Sequence, residues 1–265
     1  MTNPLLNFLA IAVYLAIAVW LARGIMRGET PQGSSRMAVL GLGLAAVTLH
    51  AIVLYGGQLN LSLTGAFSLV AWVVVCLYLL TSLTRPVANL GIVVAPLAAV
   101  TILLEWLSPS QLPIAFSTRA QAVHIVVSIL AYSLLCLAAV QSVMLLAQES
   151  KLRRKHPDKF VRALPPMQTM EEIMFQMIVL GFGLLTLTLI SGVFFTEVLF
   201  GTPFQFTHHV VLAALGWVVY ALLLVGRWRF GWRGRTAVRW TLGGFSLLVL
   251  AYFGSKFVLE IILQR

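Results

Sequence analysis

The sequence predicts an all-α protein, a polytopic membrane helix bundle with eight transmembrane helices and both termini outside. Three observations predict it. Of the 265 residues, 60% are hydrophobic and only 10% charged, whereas a soluble domain carries about 25% charged residues. Eight apolar runs are each long enough to cross roughly 30 Å of hydrocarbon at about 1.5 Å per residue. The cations between those runs alternate in abundance, as the two sides of a membrane require.

The runs lie near 4–22, 37–55, 65–83, 87–106, 120–147, 172–195, 209–226 and 240–259, and residues 1–265 read as a single integral membrane domain. The first, "MTNPLLNFLAIAVYLAIAVWLARG", has no basic stretch ahead of it and carries its arginines behind it. It reads as a retained helix that starts outside, not as a cleaved signal. Pro96 sits inside the fourth run and is expected to kink it. The longest connection, "QESKLRRKHPDKFVRALPPMQTMEE", separates five helices from three. Its Pro165-Pro166 stops a helix, and Thr169 with Glu172 three residues on predicts the N-terminus of the sixth. In "LGFGLL", Gly181 and Gly183 allow close helix contact. The seventh run opens on His208 and His209 and continues uncharged to Arg227.

Connections after the odd-numbered runs hold Arg23, Arg27, Arg36, Arg85, Lys151, Arg153, Arg154, Lys155, Lys159, Arg162, Arg227, Arg229, Arg233, Arg235 and Arg239, fifteen of the eighteen Lys and Arg residues. Only Arg119, Lys256 and Arg265 fall on the other side. Positive loops stay cytoplasmic, so the even connections face out. The net charge of +10 is thereby a topology signal. It implies anionic membrane lipids as partners of these loops and no nucleic acid. Cys76 and Cys136 stand alone, with no C-x-x-C, which excludes thioredoxin-like redox chemistry and covalent heme attachment.

Histidine placement points to chemistry. With the topology applied, His50 lies about 8 Å below the outer end of the second run and His124 about 6 Å below the start of the fifth. His208 and His209 stand at the outer mouth of the seventh. Adjacent residues on a helix point about 100° apart, so only one of that pair faces the bundle, and the helical register favours His209. A zinc site usually draws Cys, Asp or Glu at local spacing, and no such motif occurs. Distant imidazoles facing across a cleft between helices suit a planar heme. Aromatic residues on the same runs include Trp72, Tyr132, Trp217 and Tyr252, which read equally as packing. Arg119, five residues before His124, and Lys256, one turn before Glu260, are placed to meet heme propionates or to snorkel to headgroups. Glu105 and Glu197 reach the same side, either orienting a histidine or simply meeting water. His156, in "RRKHPDK", belongs to a solvated basic loop.

Several stretches resemble one family. "LISGVFFTEVLFG", "LGWVVYALLLVGR", "GWRGRTAVRW" and "GGFSLLVLAYFGSKFVL", with "AVHIVVSILAYSLLCLAAVQSVMLL", are similar to the cytochrome c assembly family of CcsA-like heme-handling membrane proteins. The length, the "FTHHVVLAALGW" segment and the "YFGSKFVLEIIL" ending look most like its small YpjD-type branch. The resemblance implies a bundle in the bacterial inner membrane that binds heme b on its outer side. It implies His124 as an external heme ligand, Glu197 as the acid before the heme-presenting loop, and other cytochrome assembly proteins as partners. Two departures stand out. "TPFQFTHH" occupies the place of the family's tryptophan-rich loop, and the chain reaches Arg265 without the family's second external histidine. His50 and His208 or His209 are what this sequence offers in its stead. The expected function is therefore non-enzymatic heme handling. The alternative is a transporter-like or accessory protein whose outer histidines relay protons or bind a metal ion.

Overall fold

The structure is a computed structural model that describes residues 4–29, 33–55, 62–107, 118–154, 159–194 and 207–262. Every regular element among the described residues is helical. In chain order these are α1 (Pro4–Arg27), α2 (Gly33–Tyr55), α3 (Leu63–Ser82), α4 (Ala88–Leu107), α5 (Arg119–Arg153), the short α6 (Lys159–Ala163), α7 (Met167–Phe194) and α8 (His208–Phe230). The last, α9, runs over Gly234–Ile262 and includes π-helical turns at Leu250–Gly254 and Val258–Ile262. Eight of the nine, all but α6, are long and apolar enough to cross a membrane.

Helix ends differ from the sequence expectation for physical reasons. α2 begins at Gly33, so that Arg36 lies in its first turn. There the guanidinium donates to the carbonyls of Ser82 and Leu83 at 2.7 and 2.8 Å, filling orphan acceptors at the end of α3. α5 is 35 residues long and ends in Lys151 and Arg153. Its length of about 52 Å exceeds the hydrocarbon core, so its end continues beyond the apolar layer. α7 starts at Met167, directly after Pro165-Pro166, so Thr169 lies inside the first turn and is not the N-cap. Proline has no N–H to satisfy and leaves the helix free to begin at once.

The helices gather in two compact units. The first holds α1–α4 with residues 147–169. α1 packs against α2 and α4, and α3 against the same two. Tyr14, Ile17, Leu21 and Ile25 of α1 and Leu90, Val94, Ala98 and Ile102 of α4 are buried at three- and four-residue spacing. These are the ridges by which helices interdigitate. Gly91 lets α4 approach closely, because a Cβ there would collide with the Tyr78 hydroxyl and Leu21.

The second unit holds residues 115–146 and 170–265. α8 and α9 pack through two reciprocal contacts: Gly216 receives Leu248, and Gly244 receives the Tyr220 ring. Tyr220 also donates to the Thr241 carbonyl at 3.2 Å. α7 joins α8 through the Trp217 indole N–H, 2.8 Å from Thr186 Oγ1, and through the stacked Phe182 and Trp217 rings. Gly181 seats Leu135 of α5. At the far end of α8 from the histidines, Glu171 accepts from Arg227 at 2.6 Å and from the Gly234 backbone N–H at 3.2 Å. That carboxylate caps α9, whose own N-cap residue supplies no side-chain bond.

Candidate functional site

The site begins with the start of α8. Thr207 accepts from the Val210 N–H at 3.4 Å and fixes the helix N-terminus, so His208 and His209 are its first two residues. Their directions diverge as the helical angle requires. His208 is exposed, and His209 is half-buried with its ring 6.4 Å from that of Tyr252.

His124 enters the same unit from α5, half-buried six residues into the helix. Its Nδ1 lies 2.7 Å from the Ser191 hydroxyl of α7. The single Ser191 proton is directed at the Thr188 carbonyl, 3.0 Å away. With its proton on Thr188 the serine accepts from Nδ1–H, the arrangement in which a second-sphere group fixes the orientation of a metal-binding imidazole. The His124 and His209 imidazoles are near enough to interact electrostatically.

Tyr252 is the hub of the surrounding wall. Its ring lies 6.0 Å from that of Tyr132, and the Lys256 ammonium sits 5.7 Å from its centroid. Lys256 also pairs with Glu260 at 3.2 Å, the i,i+4 contact its spacing implies. Tyr252 lies within the first π-helical turn. The wider turn changes the direction of side chains along α9, a device common at functional positions.

Arg119 is exposed at the first position of α5. Glu197 and His156 lie outside the described residues. His50 belongs to the first unit, where Nδ1 meets the Tyr14 hydroxyl at 3.2 Å and Nε2 meets Ser68 at 3.0 Å. Both of its nitrogens are engaged by hydroxyls. Glu105 is also in the first unit and interacts with Ser68. Neither Ser191 nor the hub position of Tyr252 follows from the sequence. Ser191 sits inside the family-like "LISGVFF", and Tyr252 is one aromatic among many.

Among the described residues no three His, Cys, Asp or Glu side chains gather as a metal-ion site. His124 and His209 bring two imidazoles into the same unit.

Residues 32–263 match the cytochrome c assembly protein family. The chain belongs to that family. Its relatives include the inner membrane protein YpjD of Escherichia coli K12, 31% identical over 270 residues, 98% of this chain and 99% of that protein. The cytochrome c biogenesis protein CcsA of Chlamydomonas reinhardtii is 26% identical over 88% of this chain and 74% of its own length. Protein HemX of Brevibacillus brevis is 26% identical over 49% of this chain and 48% of its own length. No solved structure matches. As a cytochrome c assembly protein with eight spans, the chain is a heme-related, multi-pass protein of the bacterial inner membrane.

Proposed function

We propose that this cytochrome c assembly protein binds heme b at the outer side of the membrane, where His124 and His209 would hold its iron. The observation that carries the reading is the Ser191–His124 hydrogen bond beside His209 and Tyr252, within one helical unit. Bound heme supplies an iron that takes two imidazole nitrogens and carboxylates that need cations. Ser191 holds the His124 tautomer, and Tyr132 and Tyr252 supply apolar wall. Lys256 and Arg119 are the cations for the propionates, and Glu197 is the acid that matches the family's position before the heme-presenting loop. His208, exposed beside His209, is the reserve ligand. The outer placement rests on the fifteen-to-three partition of cations.

The role is one of holding and passing heme, without a catalysed reaction, alongside other cytochrome assembly proteins. Protein purified from membranes and examined as its pyridine hemochrome tests the reading. A heme b spectrum near one heme per chain supports it, and a colourless protein that takes up no added hemin sinks it.

A further inference from the structure

The stretch "GRWRFGWRGRTAVRW", residues 226–240, holds five arginines, four aromatic residues and no carboxylate. It joins α8 to α9 through a turn whose shape is fixed from several sides. Gly231 ends α8 in the left-handed conformation at φ 65°, and the Trp232 N–H returns to the Gly226 carbonyl at 3.1 Å. The reversal lays the Trp232 ring over Gly226, where a Cβ would collide with it. Trp232 also stacks on Trp240 of α9 at 5.2 Å and on Phe230 at 6.4 Å. Arg227 donates to the Trp232 carbonyl at 3.2 Å while it pairs with Glu171.

What this frame presents outward is both apolar and cationic. Trp228 is 86% exposed and Phe230 71%. The Arg233 side chain is 68% exposed, and Arg229 and Arg239 are exposed as well. Glu171, 3.8 Å from Arg233 Nε, and its neighbour Glu172 offset two of the five guanidinium charges. Exposed rings beside exposed cations suit neither bulk water nor hydrocarbon. They suit the layer between, where acyl chains give way to phosphates. Arginine binds phosphate oxygens through its planar fork, and tryptophan settles at that depth. The other large basic connection lacks this combination: residues 151–162 hold six Lys or Arg, but Asp158 stands among them and Phe160 is their single Phe, Tyr or Trp.

We propose that the α8–α9 turn is a binding site for an anionic phospholipid, with Arg229, Arg233 and Arg239 drawing its phosphate headgroup and Trp228 and Phe230 meeting its acyl chains. The cation partition places this end of α8 on the cytoplasmic side, whose anionic lipids attract basic segments. Positive charge alone gives every basic connection some preference of that kind. Here the preference is local, because the stacked rings, the left-handed glycine and the Glu171–Arg227 pair hold the turn in one shape before lipid arrives. A preformed site spends less free energy on ordering its side chains than a loose basic segment does.

The test uses full-length, heme-free protein, so it does not depend on the heme reading. Nanodiscs of phosphatidylcholine carry a fixed minor fraction of lipid brominated in its acyl chains, either phosphatidylglycerol or phosphatidylcholine. Bromine quenches indole fluorescence on contact, and the Trp228 share is the part that Trp228→Phe removes. Brominated phosphatidylglycerol should quench Trp228 about threefold or more above brominated phosphatidylcholine. The combined Arg229→Gln, Arg233→Gln and Arg239→Gln variant should bring that ratio to about one. The combined Lys151→Gln, Arg153→Gln and Arg154→Gln variant, which removes the same charge elsewhere, should leave the ratio as in the parent. Equal quenching by the two lipids in the parent overturns the proposal before any variant is made. A ratio that survives in the first variant, or that both variants lower alike, overturns it too, because total charge and not this turn would then select the lipid.

Discussion

His124 Nδ1 lies 2.7 Å from the Ser191 hydroxyl, although 67 residues separate the two in the chain. Ser191 also lies 3.0 Å from the Thr188 carbonyl, and with its proton there it accepts from Nδ1–H and orients the ring. Ser191→Ala should therefore release the tautomer. We expect heme affinity to fall roughly tenfold, the lower end of losses for groups that orient metal-binding histidines. Ser191→Thr, which keeps the hydroxyl, should restore most of it. Hemin titration measures the affinity, and histidine 15N shifts in heme-free protein report the tautomer directly.

Packing makes a second prediction through paired glycines. A Cβ at Gly181 would stand 2.8 Å from Leu135 Cγ, whereas one at Gly183 would meet nothing within 4 Å. Gly181→Ala should destabilise the protein by about 1–3 kcal/mol through overpacking. Gly183→Ala should be neutral, or gain up to about 1 kcal/mol of helix propensity. Thermal unfolding in one detergent compares them. Equal melting temperatures would contradict the close α5–α7 contact.

A third concerns the end of α8 remote from the histidines. Glu171 is both the partner of Arg227 and the cap of α9. Its side chain is 13% exposed and that of Arg227 is 24% exposed. Glu171→Gln weakens both contacts, and a loss of about 1–3 kcal/mol is expected. The heme spectrum should stay as in the parent, because His209 lies at the opposite end of α8. A lowered melting temperature with an unchanged spectrum is the expected result.

Topology supplies the fourth. Reporter fusions at Glu29 and Arg233 should read cytoplasmic and a fusion at Arg265 external, as the cation partition requires. A cytoplasmic C-terminus would remove the outer placement of the heme site.

Much of the fold was legible in the sequence because membrane helices are written in composition and length, and eight apolar runs are hard to disguise. Their ends were less so. Arg36 reads as a loop cation, yet its long side chain caps α3 from inside the first turn of α2. The π-helical turns around Tyr252 carry no local signal. His50, His124, His208 and His209 stood out because imidazoles are rare in apolar runs. Ser191, Ser68 and Tyr14 did not, since hydroxyls are common in membrane helices and their meaning comes from contacts between distant segments.

Visible spectroscopy of the purified parent beside His124→Ala and His209→Ala tests the central claim most directly. The account predicts a six-coordinate heme b spectrum in the parent, and loss of heme or conversion to a five-coordinate spectrum in each variant. A parent-like spectrum and full heme content in both variants, with each protein folded, would contradict it.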